Sequence, residues 1–271
     1  MDLRKVGVRA LSGIVYCAVI IGCILWGYQG VTLLAIVFSI LGCIEFAKIN
    51  HDLDSRTFPT LILDVLGCVS LCCLYVDYIF YIWAAIMVFR FIIELYISTD
   101  NPLKGLSHSM LTQIYIGFPM AVMTWISVEL SPMILLAIFF LLWINDTGAF
   151  LVGSLIGKHK LFERISPKKT WEGFFGGFIF CLIASALFYI YCNNFFETDK
   201  IGANMCTWLI LGALVSIFGT WGDLIESMIK RSANVKDSGN LIPGHGGILD
   251  RIDSLLLVLP VFGIFLALVN A

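Results

Sequence analysis

The sequence predicts an all-α fold: a polytopic bundle of about nine membrane-spanning helices with its N-terminus inside and its C-terminus outside. Three observations carry this. The 271 residues are 59% hydrophobic and only 13% charged, with a mean hydropathy of +0.94, which lies outside soluble composition. The apolar residues come in runs long enough for a helix to cross a bilayer, about 20 residues each. The charges are concentrated in a few short segments, and the basic ones fall mostly on one side.

Nine windows qualify in order along the chain: 10–28, 31–49, 58–76, 78–97, 109–128, 131–152, 173–192, 205–222 and 254–270. They are too long for barrel strands, and backbone polar groups in lipid must be satisfied internally, so each is read as a helix. The first follows a basic start, Arg4-Lys5 and Arg9. Ile20-Ile21-Gly22-Cys23 loosely resembles a lipoprotein cleavage site, but an uncleaved first span is the expectation because so many spans follow. With the N-terminus inside, 15 of the 17 basic residues fall in inside segments; Lys200 lies outside and Arg90 within a span. That asymmetry sets the orientation. Arg90 and Glu94, spaced i, i+4 in the fourth window, are expected to neutralise one another. The nine cysteines show no CxxC pair, so they read as small apolar packing residues rather than a zinc site or disulfide framework.

The organisation is read as two regions. Residues 1–130 hold the first five spans, a scaffold with a possible role in dimer contact. Residues 131–271 form a catalytic region with two long inside loops, 153–172 and 223–253, which hold most of the polar chemistry.

Asp223 with Glu226, and Asp250 with Asp253, are each spaced i, i+3 at a membrane boundary. On a helix each pair shares one face. Carboxylates gathered at two span mouths suit hard cations such as Mg²⁺, although acids at span ends also occur merely solvated or paired with Arg251 and Lys230. Between them lies a loop with Lys230, Arg231 and Lys236, then Pro243-Gly244-His245-Gly246-Gly247. Lysine and arginine give charge-assisted donors to phosphate, and glycines admit backbone N–H groups to it. A basic inside loop is also what topology alone demands, and His245 is open between a structural, base or donor role.

Ser166-Pro167-Lys168-Lys169-Thr170 forms a second phosphate-type cluster, with Thr170 also placed to cap a helix. It is not a Walker A loop, so a P-loop NTPase is disfavoured. Asn145-Asp146-Thr147-Gly148 interrupts the sixth window; Asp146 is expected to face the bundle interior or a water-filled cavity, with metal and sugar binding both open. No GxSxG, HExxH or activated cysteine is present, so covalent catalysis has no support. Carboxylates beside cationic segments at a membrane surface point to phosphoryl or nucleotidyl transfer.

Here the sequence resembles a known family. Ser227-Met228-Ile229-Lys230-Arg231, then Lys236-Asp237, then Leu241-Ile242-Pro243-Gly244-His245-Gly246-Gly247-Ile248-Leu249-Asp250-Arg251-Ile252-Asp253 follows the pattern of phosphatidate cytidylyltransferases, also called CDP-diacylglycerol synthases, without departure over 27 positions. The likeness extends to Gly222-Asp223, to Ser166 through Gly173 and to Asn145 through Ala149. Residues 1–130 share only their hydrophobic character.

The resemblance implies transfer of the cytidylyl group from CTP to phosphatidic acid, giving CDP-diacylglycerol and pyrophosphate. It implies a divalent metal, usually Mg²⁺, with a second, monovalent cation left open, and a homodimer in a bacterial-type inner membrane with the site facing the cytoplasm. Nucleic acid is not an expected partner. Asp223 and Asp250 would hold metal, with Asp253 in or next to that shell. Lys230, Arg231, Lys236, Lys168 and Lys169 would anchor phosphates, with Ser166, Thr170 and Asp146 also on the substrate side and His245 positioning or donating. Other classes predict other features: a CTP-dependent lipid kinase would pass on the γ-phosphate, a CDP-alcohol phosphotransferase would carry a D-G-x₂-A-R stretch that is missing, and a cation transporter would show inverted repeats.

Overall fold

The computed structural model describes residues 3–49, 58–97, 101–197, 204–241 and 246–269. The helices are α1 (Leu3–Leu25), α2 (Tyr28–Ile49), α3 (Phe58–Leu71), α4 (Ile79–Glu94), α5 (Pro102–Thr112), α6 (Phe118–Trp125), α7 (Pro132–Ile156), α8 (Trp171–Cys192), α9 (Met205–Ser232) and α10 (Leu249–Val269). Wider π turns at Gln113–Gly117 and Ile126–Leu130 join α5 and α6 into one apolar helix, Pro102–Leu130. Each predicted window falls on helix, and the polytopic helical membrane bundle stands. Among the described residues, six helices are long and apolar enough to cross a membrane: α2, Pro102–Leu130, α7, α8, α9 and α10. The third window is helical only to Leu71, and the fourth helix has 16 residues.

The two long polar segments differ from the loops predicted. In 153–172, α7 continues to Ile156 and a short antiparallel hairpin follows, β1 (Lys160–Phe162) with β2 (Ser166–Thr170). In 223–253, helix occupies both ends, because α9 runs ten residues past the window and α10 starts five before it. Hydropathy falls after Gly222, but the helical period does not: Leu224, Glu226 and Lys230 are all buried. Lys230 and Arg231 therefore lie in the last turn of α9, not in a loop, and there they oppose the negative end of the helix dipole.

The chain divides into two compact units. The first comprises Met1–Val128 with Ala233–Arg251, the second Glu129–Ser232 with Ile252–Ala271. In the first, α2 packs on α1, α3 and α6, and α3 packs on α4. Its apolar core includes Val31, Phe38, Phe46, Cys68, Ile116 and Met120. A charged network crosses that core. Arg90 bonds Glu94 at 2.6 Å, as its i, i+4 spacing predicts, and its Nε lies 3.6 Å from Asp64, which the sequence reading missed. Arg90 also donates to the Gly105 carbonyl at 3.1 Å, and Ser109 donates to Asp64. Three helices are thus joined by one guanidinium. Removing it leaves two acids uncompensated, a loss worth about 3–5 kcal/mol for a broken buried pair. Arg90→Met is expected to lower the melting temperature of the detergent-solubilised protein by about 10 °C; a change under about 2 °C in a fluorescence melt would show the network to be dispensable.

In the second unit α7 packs on α8, and α8 on α9. Helices in lipid associate by close backbone approach through small residues. A methyl group on Gly173 would lie 2.9 Å from the Ala149 carbonyl, and one on Gly177 would lie 2.6 Å from Asn145 Oδ1. Asn145 turns into the core, where its Oδ1 accepts from Ser216 at 2.7 Å. Its neighbour Asp146, one residue or 100° further round α7, is exposed. The polar interruption of this span thus splits into a structural amide and an exposed carboxylate.

Candidate functional site

The second unit holds a cavity of about 390 Å³, lined by Asp146, Ala149, Phe150, Gly153, Leu161, Lys168, Lys169, Thr170, Gly173, Phe174 and Asp223, among others. Five predicted site residues meet there: Asp146 from α7, Lys168, Lys169 and Thr170 from β2, and Asp223 from α9. The lining combines these ionic and polar side chains with the apolar Phe150, Leu161 and Phe174. Such a mixed lining suits a ligand that has both anionic and apolar parts. Asp146 lines it, as expected of an acid facing a cavity.

Several local interactions hold the ionic residues. Thr170 is extended (φ −128°, ψ 153°), and its hydroxyl accepts from Gly173 N at 3.2 Å, so it is the N-cap of α8 that its residue type predicts. The cap fixes the end of β2, hence the lysines just before it. Glu172 takes the backbone amides of Lys158 at 3.1 Å and His159 at 3.2 Å, and pairs with the His159 ring at 2.6 Å. Both ends of the hairpin are tied by α8's first turn. Lys169 Nζ lies 2.7 Å from Asp223 Oδ2 and 3.5 Å from the Thr220 carbonyl; Asp223 Oδ1 accepts from Ser227 at 3.2 Å. Lys169 and Asp223 keep 25% and 37% side-chain exposure. An ion pair that open to water contributes about 1 kcal/mol or less to stability.

Not every predicted residue reaches the cavity. Ser166, at the start of β2, is not on its lining, nor are Lys230, Arg231 and Asp253. Lys230 is buried and paired with Glu226 at 2.5 Å, one turn apart on α9. Arg231 is exposed, as is Lys236 in the first unit. Asp253, in the second turn of α10, is half-buried, and its Oδ1 accepts from Ser254 N at 2.6 Å. The helices carrying Asp253 and Asp223 touch: a methyl on Gly222 would stand 2.6 Å from the Asp253 carbonyl, and the charges of Asp223 and Glu226 act on Asp253. His245 lies outside the described residues.

In the first unit the family-like segment forms a separate arrangement. Asp250, in the first turn of α10, accepts at Oδ2 from Ser238 N at 3.0 Å, Ser238 Oγ at 3.0 Å and Gly247 N at 2.8 Å. Gly246 has φ +82°, and a methyl there would collide with Asp250, so a glycine is required. Behind this turn stands Glu45 of α2, which accepts from Ile248 N at 2.9 Å and Leu249 N at 3.0 Å. The sequence reading missed Glu45. Its one signal was an acid inside an apolar window.

Among the described residues no three histidine, cysteine, aspartate or glutamate side chains stand together as a metal cage. The donor set still suits a hard divalent cation. Asp223 and Asp253 offer oxygen only, from touching helices, and Mg²⁺ is commonly held by one or two carboxylates completed by substrate phosphates and water.

Comparison with known proteins gives concordant findings. The sequence matches the family described as "Cytidylyltransferase family" over residues 7–269. It is 49% identical over 130 residues to a protein of Staphylococcus aureus (strain COL) named phosphatidate cytidylyltransferase, covering 47% of this chain and 46% of that relative. Relatives of the same name in Staphylococcus saprophyticus and Staphylococcus haemolyticus are each 48% identical over 130 residues, with the same shares covered. The matched stretch spans just under half the length of each of these relatives.

Proposed function

The chain belongs to the cytidylyltransferase family, and from that premise we propose that it transfers the cytidylyl group of CTP to phosphatidic acid, giving CDP-diacylglycerol and pyrophosphate. The observation that carries the proposal is one cavity lined both by Lys168, Lys169, Asp146 and Asp223 and by aromatic and aliphatic side chains. A lipid phosphate uses both kinds of lining, its phosphate the lysines and its acyl chains the apolar side chains.

In the proposed reaction the phosphatidate oxygen attacks the α-phosphorus of CTP and pyrophosphate departs in line. Lys168 and Lys169 bind phosphate oxygens by charge-assisted hydrogen bonds, and the Thr170 and Ser166 segment holds the lysines in place. Asp223 orients Lys169 through their 2.7 Å contact. Arg231 and Lys236 add positive charge, while Lys230 delivers its charge with Glu226 already against it. A phosphate monoester has a second pKa of about 6, so the nucleophile is largely ionised at neutral pH and needs no strong base. His245 is accordingly assigned to positioning. Asp223 and Asp253 would hold Mg²⁺, and the family motif gives Asp250 the same task. The ion when bound neutralises charge on the α-phosphate and the leaving pyrophosphate.

The protein is an integral membrane protein by its apolar helices. The proposal places it in a bacterial inner membrane, N-terminus inside, supported by the 15 of 17 basic residues on one side. A homodimer is part of the same reading. The test is incubation of purified protein with phosphatidic acid and CTP labelled at the α-phosphate, with Mg²⁺ and then with EDTA. Label is expected in the lipid phase, with pyrophosphate released, and EDTA should stop it. Transfer of γ-phosphate to a lipid alcohol without α-label in lipid would replace this reading with a kinase.

A further inference from the structure

Glu45 is 5% exposed, on a helix that is otherwise mostly apolar. All its hydrogen bonds described here come from residues about 200 positions away. Oε1 accepts from Ile248 N at 2.9 Å; Oε2 accepts from Leu249 N at 3.0 Å and from Ser238 Oγ at 2.9 Å. Ile248 and Leu249 stand at the start of α10, where amides lack partners within the helix and the helix dipole is positive. Such caps normally come from a residue just before the helix. Here α2 supplies the carboxylate.

The turn is shaped around that carboxylate. A methyl on Gly239 would lie 2.7 Å from Glu45 Oε1, and one on Gly247 would collide with Glu45 and Ser238. Ser238 links the two acids, its hydroxyl 2.9 Å from Glu45 Oε2 and 3.0 Å from Asp250 Oδ2. A hydroxyl has one proton. It can donate fully to only one carboxylate, so drawing Asp250 toward a cation leaves the hydroxyl to Glu45, and the start of α10 stays capped.

We propose that Glu45 is a positioning residue for the reaction: from α2 it fixes the first turn of α10 and so the direction of Asp250, leaving Asp250 able to turn to a cation. This rests on the cytidylyl-transfer reading above. A purely structural anchor would stabilise the fold without altering metal dependence, and the two roles separate by measurement.

The experiment compares full-length wild type with Glu45→Gln and Ser238→Ala in detergent. The readouts are backbone amide exchange over residues 246–252, kcat, KM for CTP, and the Mg²⁺ concentration giving half-maximal rate. Glutamine keeps the size but presents an NH₂ to backbone donors. We expect faster exchange at 248 and 249, together with a fall in kcat and a rise in the half-saturating Mg²⁺ of about 10- to 100-fold each, as for groups that orient metal ligands, and KM for CTP changed less than about twofold. Ser238→Ala should shift the same quantities less, and it decides the matter with the same readouts should Glu45→Gln not fold. Unchanged kcat and Mg²⁺ dependence per folded molecule would overturn the positioning role. Unchanged amide exchange would overturn it whatever the activity. If wild type transfers no label, the activity reading fails, and the exchange measurement still decides whether Glu45 holds the turn.

Discussion

Asp250→Asn is expected to reduce cytidylyl transfer about a thousandfold, near 4 kcal/mol of transition-state stabilisation, while the protein still inserts into the membrane at normal yield. Asparagine keeps one carbonyl oxygen. If that oxygen faces Ser238 N and Gly247 N, the donors that Asp250 now satisfies at 3.0 and 2.8 Å, the turn survives and the negative charge is lost. The variant therefore separates two jobs of one residue. Because the apolar runs that direct insertion are untouched, membrane yield should not move. Near-normal turnover would remove Asp250 from the metal-holding role and leave it a turn-former.

The second large effect concerns Lys169 and Asp223. Their pair is too exposed to matter much for folding, so Lys169→Met and Asp223→Asn should each leave the melting temperature within about 3 °C of wild type. Activity should respond differently, with kcat/KM falling about a hundred- to a thousandfold for each. Lys169→Met should raise KM for CTP as well, since it removes a phosphate donor. Asp223→Asn should act mainly on kcat. In the double variant the losses should not multiply, because a lysine without its aspartate is already misdirected; groups acting as a unit are non-additive. A double variant near the worse single one is the expected outcome of this cycle. Fully multiplicative losses would mean that the 2.7 Å contact has no part in catalysis.

Much of this protein was legible from composition and local pattern. Apolar runs located helix in every window, because a bilayer demands about 20 apolar residues and the backbone must bond to itself there. Thr170 was read as a cap from its type and position, and it is one. Arg90 with Glu94 followed from helical spacing. These are near-neighbour properties, fixed within one turn or one span. Helix ends were read less well: the window after Met205 stopped at residue 222, where hydropathy dropped, whereas the helix continues to Ser232 on a buried Glu226–Lys230 pair. Hydropathy reports the solvent around a helix, not whether the helix continues.

The sequence by itself determined the class of the molecule, the motif that assigns its family, and which residue types would bear charge near the membrane surface. Only the tertiary structure decided which charges meet. Spacing could not show that Asp64 joins Arg90, that Lys169 rather than Lys168 takes Asp223, or that Glu45 caps a helix beginning 204 residues later. Each of those contacts depends on how separate helices pack. Packing is set by shape at glycines such as Gly173 and Gly247 and by the cost of leaving a buried polar group unbonded, quantities that depend on the neighbour and not on the residue alone.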